Sequence, residues 1–146
     1  MTGAACAGFL IAVLWMDLIF DSQVRSHRRS GELPEPVLAS IAGYYRRATT
    51  AARPMNYLVA AVMVLLLSVV VIRWVDAPGW PLVIPSLLAG APILLAAVRT
   101  VPSAKRLGSR VDSAAAQSFL ARGVFRDHLL CLAAMTTFLV VWIAHY

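Results

Sequence analysis

Charge is scarce in this chain, and acidic charge is scarcer still. Asp, Glu, Lys and Arg make up 14% of the 146 residues, seven of them acidic and thirteen basic. A soluble domain has about 25% charged and about 45–50% apolar residues; here the apolar share is 60% and the mean hydropathy is +0.76. Intrinsic disorder is excluded, because it needs too little apolar surface to bury rather than too much. Two cysteines cannot build a disulfide framework. Eight glycines without a three-residue period exclude a collagen-like helix. No Ser/His/Asp set, phosphate-cradling glycine loop, Cys-x-x-Cys or His-x-x-x-His pair is present.

Long apolar runs are what the chain does have. A bilayer core about 30 Å thick takes about 20 apolar residues in a helix, and four segments fit: Ala4–Phe20, Met55–Val75, Trp80–Val98 and Asp127–Ala144. Only Asp17 interrupts the first, and the third holds Pro81, Pro85 and Pro92. Backbone groups in lipid must find partners internally, so these segments are read as helices. Met1-Thr2-Gly3 contains no Lys or Arg, so the first segment is expected to be a retained span and not a signal peptide. The sequence therefore predicts an all-α integral membrane protein, a four-transmembrane-helix bundle forming one membrane domain over residues 1–146. Its spans cover about 4–20, 55–75, 80–98 and 127–144, with loops at 21–54 and 99–126.

Charge placement sets the expected orientation. Loop one holds Arg25, Arg28, Arg29, Arg46, Arg47 and Arg53; loop three holds Arg99, Lys105, Arg106, Arg110, Arg122 and Arg126. Arg73 alone flanks the link between spans two and three. Lys and Arg accumulate on the cytoplasmic side, so loops one and three are expected inside the cell membrane and both termini outside. The pI near 10.2 then reflects membrane lipids as partners, each basic residue near anionic headgroups gaining about 1 kcal/mol. Nucleic acid is not expected as a partner, whereas a protein partner or a homo-oligomer is compatible with the composition. Trp74, Trp80 and Trp142 fall at the outer interface and read as an aromatic belt.

Both large loops have room for helices. Pro36 suits the first turn of an amphipathic helix running toward Arg53, after a turn at Ser30–Pro34. Tyr44 and Tyr45 beside Arg46 and Arg47 suit headgroup anchors. Loop three has a Pro/Gly-punctuated basic stretch from Val101, then an Ala-rich helix capped by Asp112 or Ser113 that runs into span four. The chain thus reads as two similar helical hairpins, with amphipathic cytoplasmic helices before spans two and four. Ala4, Gly8 and Ala12 mark an expected close-approach face on span one, and Pro92 an expected kink in span three. Cys6 and Cys131 lie about 20 Å apart in depth on this reading, too far for a disulfide.

Polar residues concentrate at one end. Asp17 lies about one turn inside span one, where a carboxylate points to a functional site, and Asp21 follows on the same face. Arg53 and Asn56 of span two and Arg126, Asp127 and His128 of span four fall at the same depth. These seven form the candidate cluster, read either as an ion-pair clasp between helices or as a proton-handling or ligand site. His128, Cys131 and Met135 also share one face of span four, a soft set suited to copper. Met and Cys on a packed face are ordinarily core filling, so no metal is expected there.

The order of GFLIAVLWMDLIFD in span one, Arg53 to Asn56 at the start of span two, and RGVFRDHLL opening span four resembles the small four-span family related to anthrone oxygenases. The Trp and His of that family upstream of the span-four Arg are replaced here by residues such as Phe119 and Gly123. The resemblance implies the four-span architecture and a small membrane oxidoreductase with its polar site at the cytoplasmic end. Composition and topology by themselves favour a non-catalytic subunit or lipid-contacting scaffold of a membrane complex. No cofactor is named by either reading.

Overall fold

The computed structural model describes residues 1–27, 31–51 and 53–145, apart from the side chain of Arg53. Arg28, Arg29, Ser30 and Tyr146, which figure in the expected turn, loop charge and C-terminus, lie outside the described residues. Every described element is helical. α1 (Thr2–Asp21) runs into a 3-10 segment (Ser22–His27), and α2 (Glu35–Arg46) passes through a π turn (Arg47–Ala51) toward α3 (Arg53–Asp76). A short 3-10 turn (Trp80–Leu82) opens α4 (Val83–Leu95), a second π turn (Ala96–Thr100) leads to α5 (Val101–Ser109), and α6 (Ala114–His145) closes the chain.

Four stretches are long and apolar enough to cross a membrane: Thr2–His27, Pro54–Asp76, Trp80–Ser109 and Ala114–His145. Each contains one expected span. α1 lies against α6 and α3, and α4 lies against the same two, so the four helices close a ring. Their outward faces are apolar and exposed, as at Leu65, Leu87, Leu94, Leu130 and Ile143. The inward faces form a core around Leu10, Leu66, Ala89, Met135 and Phe138. A second core, around Leu38, Ile41, Leu107, Ala121 and Val124, binds α2 and α5 to the first turns of α6. We refer to that side as the loop end.

Loop three departs in part from the expected plan. The Ala-rich segment after Asp112 does run into span four, α6 being unbroken for 32 residues. Ser113 caps it, its Oγ accepting the Ala116 N–H at 3.3 Å. The amphipathic helix before span four is instead α5, continuous with span three. Pro102 sits in its first turn, where a missing N–H is tolerated. The π turn therefore follows the interfacial helix in the first half and precedes it in the second, so the two hairpins are not alike. The helix also stays α-helical through Pro92 to Leu95 and changes to π geometry only at Ala96–Thr100.

The close-approach face of α1 is Gly3, Cys6, Ala7 and Leu10 rather than Ala4, Gly8 and Ala12. A Cβ at Gly3 would meet the Trp142 indole at 2.7 Å, whereas one at Gly8 would meet nothing within 4 Å. Trp142 is accordingly 3% exposed and stacks on Phe138 at 5.1 Å, a core residue and not a belt residue. Trp80, 80% exposed, fits the belt. Both cysteines are free and buried.

At the loop end α2 and α5 cross in backbone contact. A Cβ on Gly108 would lie 2.8 Å from the Arg46 backbone nitrogen, and backbone cannot step aside as a flexible side chain can. Gly108→Ala is therefore expected to cost about 1–3 kcal/mol of stability by overpacking. Gly8→Ala should leave stability unchanged or slightly raised, since alanine is the better helix former by up to about 1 kcal/mol. Thermal unfolding of the two variants in one detergent checks the contrast.

Candidate functional site

Where α1 leaves the ring, its last turns place Asp17 and Asp21 on one face, one helical turn apart. α2 folds back across that end and presents two adjacent phenols. Tyr44 donates to Asp17 Oδ1 at 2.5 Å and Tyr45 donates to Asp21 Oδ1 at 2.7 Å. The Tyr44 ring also stacks on Phe20 at 4.1 Å. From α6, His128 brings Nδ1 to 2.6 Å from Asp21 Oδ2 and Nε2 to 3.8 Å from Asp17 Oδ2. Asp21 is 0% exposed and His128 is buried.

The two carboxylates do different work. Asp21 accepts one short hydrogen bond on each oxygen, so its charge is matched inside a dry site. Against an acceptor-only carboxylate, His128 carries a proton on Nδ1, so in the neutral ring the lone pair is on Nε2. The 3.8 Å to Asp17 is too long for a hydrogen bond. Nε2 and Asp17 thus stand side by side without closing on each other.

They stand at the wall of a cavity of about 890 Å³ lying among α1, α3, α4 and α6. Leu10, Leu14, Val59, Met63, Ile93 and Met135 are among the residues of its apolar wall, and Asp17, Tyr44, Tyr45 and His128 supply polar groups to it. Asp21 is not in the wall; it lies behind His128. The arrangement is an imidazole oriented from the rear by a carboxylate, with its free nitrogen toward an apolar chamber. This is the geometry of a general base.

Of the seven expected cluster residues, Asp17, Asp21 and His128 meet. Asp127 points the other way, pairing with Arg99 Nε at 3.2 Å and lying 3.4 Å from the Thr100 hydroxyl. Arg126 is exposed, so the group standing against Asp17 is His128 and not Arg126. Asn56 is exposed at the cavity rim. The side chain of Arg53 lies outside the described residues. The soft face of α6 is split as well: His128 is engaged by Asp21, and the Cys131 thiol points at the Pro92 carbonyl at 3.8 Å. Among the described residues no three His, Cys, Asp or Glu side chains are placed to hold a metal ion.

Tyr44 and Tyr45 were expected as headgroup anchors and are instead the donors of the site. One signal points to them: two carboxylates a turn apart on a helix with no basic residue need donors from elsewhere, and adjacent tyrosines on the returning helix are spaced to supply them. No family model, curated protein or solved structure matches the chain.

Burial, and next the adjoining carboxylates, hold both phenols above the ordinary value of 10.0. A folded value above the unfolded one means that the neutral phenols stabilise the fold below about pH 10, and that this contribution is lost as pH rises further. Unfolding temperatures measured from about pH 8 to about pH 12 should fall more steeply above pH 10 in the wild type than in a Tyr44→Phe/Tyr45→Phe variant. The variant should start lower and vary less. Parallel curves would show that the phenols do not couple to folding.

Proposed function

We propose that this chain is a small four-span membrane protein that takes an apolar weak acid into its central cavity and removes a proton from it through His128. Nε2 accepts the proton, the bond from the ligand atom to hydrogen breaks, and the electron pair stays on the ligand. The imidazolium formed lies between the carboxylates of Asp17 and Asp21. The observation that supports this reading most is the free Nε2 beside a largely apolar chamber, with Nδ1 held at 2.6 Å by a fully buried carboxylate. An anion left on an apolar ligand is electron-rich, a product compatible with the small membrane oxidoreductase that the resemblance to the anthrone oxygenases implies.

The scaffold reading draws on a different observation. Asp21, Tyr45 and His128 come from α1, α6 and the interfacial α2, and every oxygen of Asp21 is satisfied, as a structural clasp would require. A clasp needs the hydrogen bonds but not a free nitrogen facing a chamber. The orientation belongs to the proposal too: six basic residues in each of loops one and three, with only Arg73 elsewhere, support those loops in the cytoplasm and the termini outside. Anionic headgroups would then meet the loop end.

A weak-acid probe separates the two functions. 2-Naphthol, whose ionised form absorbs and emits differently, should ionise at lower pH when bound to the wild-type protein than when free in neutral-lipid nanodiscs. His128→Gln, whose amide can still donate to Asp21, should fold and bind it but lose the shift, because no basic group is then left to accept the naphthol proton. A shift unchanged in that variant, or no binding at all, would favour the scaffold.

Orientation is checked by single-cysteine reporters after Tyr146 and within loop three. They should label from opposite faces, the former from outside. Labelling of the C-terminal reporter from the cytoplasm alone would reverse the topology.

A further inference from the structure

The large cavity continues past the tyrosines. Thr49 and Lys105 line it and also line a second cavity of about 470 Å³ between the end of α2, the first π turn and the end of α5. The second space has the opposite chemistry. Among the described residues, Arg46, Lys105 and Arg110 supply its charge and no carboxylate or apolar side chain lines it; of its hydroxyls, those of Thr49 and Ser109 donate to the Tyr45 and Arg106 carbonyls, and Thr50 adds a third. The backbone contact at Gly108 holds the two helices close enough for their cations to share one space.

Those cations are unequally engaged. Arg110 pairs with Glu35 at 2.6 Å. Arg46 and Lys105 are exposed and have no carboxylate partner among the described residues. Two unengaged cations beside hydroxyl groups match a phosphate-type oxyanion, with its several acceptor oxygens and its charge. An apolar chamber that shares Thr49 and Lys105 with such a group matches the hydrocarbon of the same molecule.

We infer that the two cavities form one site for an amphiphile with a phosphate-type head, held by Arg46 and Lys105, and an apolar chain or ring system that extends toward His128. The inference rests on the reading of the larger cavity as a ligand chamber, and it names the substrate class of that chamber as anionic amphiphiles. Lys105 and Thr49 are the joint between the halves. The head fixes the molecule at the interface while its apolar part reaches the base.

Native mass spectrometry of the full chain in an uncharged detergent, titrated with dodecyl phosphate, dodecanol and inorganic phosphate, tests this. Dodecyl phosphate should bind one to one and at least about tenfold more tightly than dodecanol, the gain expected from charge-assisted contacts to the head. Inorganic phosphate alone should bind far more weakly than either. Arg46→Gln/Lys105→Gln should bring dodecyl phosphate to the level of dodecanol, with Lys105→Gln alone intermediate; both side chains are exposed, so the fold should survive. Equal affinity for the two amphiphiles, an unaffected double variant, or inorganic phosphate binding as tightly as dodecyl phosphate would each overturn the inference. The naphthol shift separates the two proposals. Its loss with dodecyl phosphate binding intact would sink the proton-transfer reading alone, and the converse would sink the amphiphile site alone.

Discussion

Asp21 is a carboxylate with no exposure to solvent, and the loop end of the molecule is built around satisfying it. A charge withdrawn from water costs several kcal/mol unless its lone pairs are met. Asp21 meets that condition with one donor from α2 and one from α6. Both helices must therefore come to α1 at the same depth. Removing either partner would leave the charge buried and incompletely matched, a change worth about 3–5 kcal/mol for a buried pair. Asp17, a turn away, bonds to Tyr44 of α2 and stands 3.8 Å from His128 of α6, so both carboxylates draw the same three helices together.

Much of the remaining architecture follows from that meeting point. With Tyr45 directed at Asp21, the neighbouring Tyr44 reaches Asp17 a turn deeper. The face of α2 that carries Tyr45 also carries Leu38 and Ile41, which pack with Leu107 of α5. Arg122 of α6 fastens loop one by donating to the Gly31 and His27 carbonyls at 3.0 and 3.2 Å, and the Leu33 N–H donates to Ser118 Oγ at 2.8 Å. Loop one is thus held down on both sides of α2. The same placement turns the Nε2 of His128 toward the central chamber and gathers Arg46 and Lys105 at its outer end.

The long helices were legible because lipid-length apolar runs leave few alternatives, and all four appear close to where hydropathy puts them. Asp17, Asp21 and His128 were legible for a related reason, since ionisable groups inside apolar runs are conspicuous. Their pairing was not. Depth alone cannot separate Asp127 from His128, adjacent residues about 100° apart on α6, one facing Arg99 and the other Asp21. Tyr44 and Tyr45 were hidden by their basic neighbours, which made them resemble interfacial anchors. Trp142 was hidden by its position near a helix end, because its burial depends on Gly3 of another helix. The extent of α5 turned on whether Pro102 and Gly108 act as breakers. In the fold one sits in a first turn and the other in a crossing, so neither breaks its helix.

The account turns on which nitrogen of His128 holds the proton. Nitrogen-15 NMR of histidine-labelled protein in nanodiscs, at a pH high enough for the ring to be neutral, reads this directly. His128 is assigned by its loss in His128→Gln. The expected result is the Nδ1–H tautomer, with a free Nε2 whose resonance moves when an apolar weak acid enters the cavity, and reversion to a mixture of tautomers in Asp21→Asn. A neutral His128 protonated on Nε2 in the wild type would contradict the arrangement, because the nitrogen facing the chamber would then have no lone pair to offer.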